Sequence, residues 1–369
     1  SLFRVFKKTS GSGHITLYLG KRDFVDYVDS VEAVDGVIKV DPSGLNGRNV
    51  FVCLACTFRY GSEDIIGLPM RRNIWIQHLQ LYPSTGENAT KSPMLEFLLK
   101  KVGKQGYPFS FQLPTNLPCS VALQPVPNST GKVQFFFRTV CKQTVKPYSY
   151  CPKKINGSLT LLVSFSVPRD TCHLIIRKIQ FAPVNNRPGF KVHISKQLMM
   201  TDKTVHLEAS LEKEIYYHGD PITVNIKINN ETTKVVKKIK VSIEQLTNVV
   251  LYSSDTYIKT VCSEEFGETI NANSTFERSF QITPLLANNR DKWGLAVDGC
   301  LKDEETHLAS TTLSQGDNEM QGILVSYQVK VSLVVCGGGL LGGLTGRDVT
   351  VELPLTLMSP VSAGDHSVL

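Results

Sequence analysis

A cluster of carboxylates lies in the segment 296–308, which has the sequence AVDGCLKDEETHL. Its acidic residues are Asp298, Asp303, Glu304 and Glu305. They belong to a chain whose net charge is +7. A charge run of this kind is ordinarily solvated surface. It can also be one half of an ion-pair site, provided that a cation from another part of the chain reaches it.

An arginine in an apolar strand is a candidate for that cation. Arg177 lies in HLIIRKIQF (173–181), where residues 174–176 predict a buried strand. A buried guanidinium is very costly unless carboxylates surround it. Asp23, which with Arg22 closes the predicted strand ITLYLGKRDF, is a further acid. We therefore expect three distant segments to meet in one internal charge cluster.

Composition narrows the class of protein. The chain has 369 residues, 41% of them hydrophobic, so it can bury a large core and form about two domains. The positive charge favours acidic partners. Nine cysteines, mostly in strand-like runs, indicate free thiols in a reducing compartment. Cys53 and Cys56 have CxxC spacing without further zinc ligands, so we expect both in the core.

Motifs for catalysis are missing from the sequence. It has no G-x-S-x-G, no H-E-x-x-H and no supported Cys–His arrangement, so we predict no enzyme, no cofactor and no metal site. We predict no signal peptide, and the longest apolar run, 159–167, is too short to span a membrane. These features predict a cytoplasmic protein.

Period-two alternation of apolar residues recurs along both halves of the chain. It predicts an all-β protein with two tandem antiparallel β-sandwich domains of immunoglobulin-like type. We place the first domain at 1–181, a Pro/Asn/Gly-rich hinge at 182–190, the second domain at 191–358 and a tail at 359–369.

One short amphipathic helix is predicted at 92–103. Ser92 can cap it, Pro93 suits its first turn and Gly103 suits its end. An apolar connection at 61–73 has two open interpretations, a packed hairpin tip or a loop that inserts into a partner. The glycine-rich stretch 336–346 opens no helix, so we expect a hairpin tip instead of a phosphate loop.

Stretches along nearly the whole chain resemble the arrestin family. They include VFKKTS (5–10), YLGKRDFVDYVDSVEAVDGV (18–37), IRKIQFAP (176–183), LANNRDKWGLAVDG (286–299) and GILVSYQVKV (322–331). Within the family, VFKKTS and QLTNVVLYSSDTYIKTV (245–261) resemble visual arrestins, and VELPLTLM (351–358) resembles the cone type. The resemblance implies two β-sandwich domains and no catalysis.

The same resemblance implies a function. It implies binding to an activated, phosphorylated seven-helix receptor, an opsin, which blocks G-protein coupling, in photoreceptor cells and at the membrane periphery when bound. Inositol phosphates, an anionic membrane surface and weak self-association are further implied partners; nucleic acid is not. The alternative within this fold is a trafficking scaffold for membrane cargo that does not sense phosphate.

The resemblance also assigns site residues by matched motif. The family's polar core matches Asp23, Arg177, Asp298 and Glu305, the last in place of a loop aspartate. Phosphate-binding residues match Lys7, Lys8, Arg22, Lys101, Arg138 and Lys302. The contact for the carboxy-terminal tail matches Val5, Phe6, Met94, Leu98 and Val102. The receptor finger loop matches Glu63, Asp64, Ile65, Ile66, Gly67, Leu68 and Met70, and the membrane edge matches Leu340 and Leu341.

Several features depart from the family pattern. The region 142–173 is longer and has little resemblance, His173 and Cys300 stand where cations are usual, and Met70 stands where an aromatic residue is common. The family's acidic tail has no counterpart before Leu369, which predicts either a truncated chain or a partly pre-activated form.

Overall fold

The structure is a computed structural model, and it describes the chain in eleven ranges. They are 5–60, 70–84, 92–124, 133–144, 171–183, 187–198, 203–250, 255–299, 306–313, 322–335 and 349–359. The chain divides into two compact units. Unit 1 lies within 1–58, 71–120 and 135–179, and unit 2 within 59–70, 121–134 and 180–369.

A short 3-10 turn lies at Pro42–Gly44. The other described elements up to residue 180 are ten strands and one α-helix. They are β1 (Phe6–Thr9), β2 (Ile15–Leu19), β3 (Asp23–Asp26), β4 (Val34–Val40), β5 (Asn49–Tyr60), β6 (Met70–Tyr82), α1 (Pro93–Val102), β7 (Gly106–Phe111), β8 (Val121–Leu123), β9 (Val133–Thr144) and β10 (Thr171–Gln180). In unit 1, one sheet has the order β1-β2-β4-β7, and a second joins β6, β5, β9, β10 and β3.

Unit 2 continues with ten described strands and a short 3-10 turn at Leu286–Asn289. The strands are β11 (Lys191–Gln197), β12 (Thr204–Leu211), β13 (Ile215–Tyr217), β14 (Ile222–Asn230), β15 (Val236–Val249), β16 (Thr256–Phe266), β17 (Ser274–Ile282), β18 (Ala296–Asp298), β19 (Ile323–Val335) and β20 (Val349–Met358). Two of its sheets have the orders β11-β12-β14-β17 and β13-β20-β19-β15-β16, and β18 pairs with β8.

Alternating burial explains why these segments form sandwiches. In β12, Val205, Leu207, Ala209 and Leu211 point into the core while the residues between them remain partly exposed. A strand with this period has one apolar face, which a second sheet must cover. The prediction of two β-sandwich units is confirmed, and so is the placement of Cys53 and Cys56 in the core of unit 1.

Helix α1 is the predicted helix, and its ends follow from its sequence. The Ser92 hydroxyl accepts a hydrogen bond from the Leu95 amide at 3.2 Å, and Gly103 ends the helix with a φ of 80°. Leu95 and Leu98 are buried against Val37 of β4, which fixes the helix on the first sheet. The helix prediction is therefore confirmed.

Two sequence predictions about local structure were wrong. Asp23 does not close the strand that contains residues 15–19: that strand ends at Leu19, and Asp23 opens a new strand in another sheet. Ile175, predicted to be buried, is 47% exposed, whereas its neighbour Ile176 is 1% exposed. Successive residues of a strand project to opposite faces, so three apolar residues in a row cannot all face one core.

Candidate functional site

Arg177 and Asp23 form a bidentate ion pair inside unit 1. Arg177 Nε donates to Asp23 Oδ1 and Arg177 Nη2 to Asp23 Oδ2, both at 2.6 Å. The Arg177 side chain is 12% exposed and the Asp23 side chain 40% exposed. Two parallel charge-assisted hydrogen bonds make this a geometrically specific pair that water reaches from the Asp23 side.

The pairing of β3 with β10 positions this ion pair. The Arg177 amide donates to the Arg22 carbonyl at 2.7 Å, and Arg22 Nε donates back to the Ile175 carbonyl at 2.8 Å. These bonds hold two strands that are more than 150 residues apart in the sequence at one register. The register brings the fork of Arg177 to the carboxylate of Asp23.

A second ion pair joins the same two strands and was missed by the sequence analysis. Lys178 Nζ contacts Asp26 Oδ2, and each side chain is only 1% exposed. Lys178 Nζ also donates to the Leu117 carbonyl at 2.7 Å, and Asp26 Oδ1 accepts from the Val28 amide at 2.8 Å. The available signal was a second cation in the same predicted strand: Lys178 directly follows Arg177, four residues before the predicted hinge at 182–190.

Charge partners keep Lys178 protonated in spite of its burial. Burial by itself lowers the pKa of Lys178, but the negative charge of the ionised Cys119 side chain and the charge and hydrogen bond of the Asp26 carboxylate outweigh it and raise the pKa above the usual 10.5. Burial raises the pKa of the Cys56 thiol far above its ordinary value, so Cys56 remains a neutral core residue.

Exposed cations lie on β1 and at the end of α1. Lys7 and Lys8 occupy β1, where both are exposed, and Lys101 is exposed in the last turn of α1. The Arg22 guanidinium lies 5.7 Å from the ring centroid of Phe6, the residue before Lys7. The basic side chains of β1 therefore follow Phe6, and the Arg22 side chain that lies near Phe6 also donates to the Ile175 carbonyl of β10.

The predicted tail contact is an apolar surface in unit 1. Val5, Met94 and Val102 pack, partly buried, on the cluster that contains Val37, Leu95 and Leu98. Phe6 is likewise partly buried. Gly20 lies against the Met94 side chain, because a Cβ at this glycine would be 2.0 Å from Met94 Sδ. Val5, which directly precedes β1, therefore packs on the apolar cluster that includes Leu95 and Leu98 of helix α1.

Asp298 lies in unit 2, where buried polar groups fix its backbone. It ends β18, and its amide donates to the His307 carbonyl at 3.1 Å. Gln245 is fully buried and holds the strand from both sides: its Nε2 donates to the Ala296 carbonyl at 2.9 Å, and its Oε1 accepts from the Ala296 amide at 2.7 Å. Tyr327 donates to the carbonyl of Ala309, which lies in the segment that pairs with β18.

The sequence analysis missed Gln245, although a signal was present. Gln245 stands in β15 at a position where neighbours on the same face, Val241, Ile243 and Val249, are buried. A polar residue at a core-facing position needs hydrogen-bond partners. Here those partners are the two peptide groups of Ala296.

Other predicted residues lie outside the described part of the chain. This holds for residues 63–69 of the finger loop, Lys302, Glu305, Cys300, Leu340 and Leu341, and for 145–170 of the unusual region. Met70 begins β6, and Arg138 lies in β9 opposite Ile175. His173, where the family usually has a cation, is exposed in β10. The assignment of all these residues to sites stays a prediction.

Two absences concern the described residues alone. Among them, no three His, Cys, Asp or Glu side chains are grouped in a way that would hold a metal ion. Within the same ranges, no helix combines the length and the apolar character that crossing a membrane requires.

Comparison with known proteins identifies the family. Models of "Arrestin (or S-antigen), N-terminal domain" and "Arrestin (or S-antigen), C-terminal domain" match residues 15–165 and 201–361. Arrestin-C of Sus scrofa is 48% identical over 363 residues, which cover 97% of this chain and 89% of the relative. Arrestin-C of Aquarana catesbeiana is 49% identical (98% and 90% covered), and that of Homo sapiens 47% (97% and 90% covered). The chain therefore belongs to the arrestin family, as the resemblance predicted.

Proposed function

We propose that this chain is a non-catalytic cytoplasmic adaptor for a light-activated, phosphorylated seven-helix receptor, an opsin, and that its binding blocks G-protein coupling. Support comes from family membership across both domains and from relatives named Arrestin-C that match nearly the full chain. The adaptor becomes peripheral to the membrane when it binds the receptor. Photoreceptor cells, inositol phosphates, anionic membrane and weak self-association remain predictions of the resemblance.

The Arg177–Asp23 pair is the observation that supports phosphate sensing. A guanidinium fork that binds a carboxylate through two parallel hydrogen bonds fits two oxygens of a phosphate equally well. A phosphorylated side chain carries about −1.5 to −2 charges at neutral pH, against the single charge of Asp23. A receptor phosphate can therefore displace Asp23 from Arg177.

Exposed cations of unit 1 support a path for that phosphate. Lys7 and Lys8 are exposed on β1, and Arg22 lies between Phe6 and the carbonyl of Ile175 on β10. In the proposal these side chains receive the phosphorylated segment first, and one phosphate then reaches Arg177. Asp298 and Glu305 act as the further acids of the basal state, so loss of Arg177 to phosphate releases that state.

The test reverses the charge of Arg177. R177E is expected to bind the activated receptor without phosphorylation, whereas the wild-type chain requires it. K227E is the matched control, because Lys227 forms an ion pair whose side chains are 60% and 73% exposed in unit 2. The swapped pair R177D/D23R, which rebuilds the ion pair across β3 and β10, is expected to recover the phosphate requirement. An R177E chain that keeps the full requirement contradicts the proposal.

A salt series separates the proposal from the scaffold alternative. Binding of a phosphorylated receptor-tail peptide to a cationic site weakens as ionic strength rises, because salt screens exposed charge. A steep loss of affinity between low and high salt is expected. A flat response favours a trafficking scaffold that does not read phosphate.

A further inference from the structure

A buried hydrogen-bonded chain leads from His218 to the carboxylate of Asp298 within unit 2. His218 Nε2 lies 3.0 Å from Ser310 Oγ. Ser310 binds both carboxylate oxygens, its amide donating to Asp298 Oδ1 at 3.1 Å and its hydroxyl to Oδ2 at 3.5 Å. The His218 side chain is 4% exposed and that of Asp298 18% exposed. Neither His218 nor Ser310 was singled out from the sequence.

The fold holds His218 in place from two directions. Its amide donates to the Met358 carbonyl at 3.0 Å, at the end of β20 and next to the parallel pair of β13 and β20. Its ring stacks on that of His307, with centroids 5.5 Å apart and planes within 5°. His307 precedes the segment that pairs with β18, so the same ring contact links His218 to the backbone partner of Asp298.

The donor order fixes the tautomer of His218. A hydroxyl donates one hydrogen bond, so a Ser310 hydroxyl that donates to Asp298 must accept from the imidazole. This order of donors places a proton on Nε2 of His218. Burial, followed by the neighbouring His307, lowers the pKa of His218 from 6.5 to about 3, which agrees with a neutral ring. Tyr327 also faces Asp298, and burial raises the pKa of Tyr327 far above its ordinary value.

We propose that His218 and Ser310 are positioning residues: they hold the Asp298 carboxylate in the orientation that the phosphate-controlled basal state requires. The inference rests on the proposed function, in which Asp298 is one acid of that state. A neutral imidazole orients Ser310 and adds no positive charge 3.9 Å from Asp298 Oδ2, so it does not compete with an arginine for that carboxylate. A hydroxyl alone, without the imidazole behind it, can rotate away.

Three variants separate orientation from simple packing. H218F keeps a ring against His307 and loses the donor to Ser310, whereas H218Q supplies an amide donor in place of the ring. S310A removes the hydroxyl at the carboxylate. The readout is the ratio of binding to unphosphorylated and to phosphorylated activated receptor. We expect H218F and S310A to raise that ratio about tenfold, which corresponds to ~1.4 kcal/mol, and H218Q to restore it towards the wild-type value.

The result is interpretable even where a variant loses stability. A loss of folded chain lowers binding to both receptor forms and leaves their ratio unchanged, and S310A tests the proposal independently if H218F does not fold. An unchanged ratio in S310A overturns the proposal, as does an equal rise in H218Q and H218F. R177E is measured in parallel. If R177E loses the phosphate requirement while S310A and H218F keep it, the positioning role fails and the proposed function stands; if R177E keeps the requirement, the proposed function itself fails.

Discussion

The two ion pairs between β3 and β10 differ in burial, and this difference predicts different effects on stability. Lys178 and Asp26 are each 1% exposed, so Lys178→Met leaves a carboxylate that water cannot reach. Removing one partner of a buried pair destabilises by about 3–5 kcal/mol. Asp23 is 40% exposed, so water solvates it when Arg177 is replaced by Gln. Exposed pairs contribute about 0–1 kcal/mol, so we expect R177Q to destabilise unit 1 by less than ~2 kcal/mol.

Tryptophan fluorescence gives an assay for unit 1 alone. The chain has two tryptophans, and Trp75 of β6 lies in unit 1 whereas Trp293 lies in unit 2. In a W293F background, urea unfolding followed at Trp75 reports unit 1, and urea does not screen charge. K39M is the matched control, because Lys39 is exposed on β4. It is expected to change stability by at most ~0.5 kcal/mol.

The double variant K178M/D26L tests the reason for the large effect. Replacing both buried charges with apolar side chains removes the unpaired carboxylate, so most of the stability lost in K178M should return. A K178M chain no less stable than R177Q would refute the reasoning. So would a double variant as unstable as K178M, because the effect would then come from packing.

Three further predictions concern other parts of the fold. S92A removes the cap of α1 and the hydroxyl that binds Asp35. The free energy of opening of α1, measured by amide hydrogen exchange, should therefore fall by about 1–2 kcal/mol, whereas S92T should leave it unchanged. The lowered pKa of His218 means that the unfolded state binds one more proton below about pH 6.5. Unit 2 stability, followed at Trp293 in W75F, should therefore fall by up to ~1.4 kcal/mol per pH unit from pH 6.5 to 5, and H218Q should remove that slope. G36A places a Cβ 2.3 Å from Phe109 Cζ and should destabilise unit 1 by about 1–3 kcal/mol in urea unfolding; a neutral result would contradict the close approach.

Local features were predictable because they depend on residues close in the chain. The cap at Ser92, the start at Pro93 and the end at Gly103 lie within one helix and need no knowledge of its surroundings. Strand β5, Asn49–Tyr60, likewise follows from a long and largely apolar run within the chain. The charge pattern by itself singled out Arg177, Asp23 and the acids of 296–308, and the family resemblance added the other site residues.

Register decided the parts that local patterns left open. Residues 177 and 178 both carry positive charge, and the sequence predicts only that neighbouring side chains of a strand leave on opposite faces. Which acid meets which cation depends on how β10 lies beside β3, and the hydrogen bonds between Arg177 and Arg22 set that register. The break after Leu19, which places Asp23 in another sheet, was likewise absent from the local pattern.

The sequence by itself therefore determined the class of fold, the helix with both of its ends, the buried cysteines and the family. The tertiary structure alone decided which charges are paired and how deeply each pair is buried. It also brought Gln245 to the strand that ends at Asp298, and His218 and Ser310 to the Asp298 carboxylate. The physical reason is that hydrophobic periodicity acts over a few residues, whereas hydrogen bonds and ion pairs require atoms at about 3 Å from segments far apart in the chain.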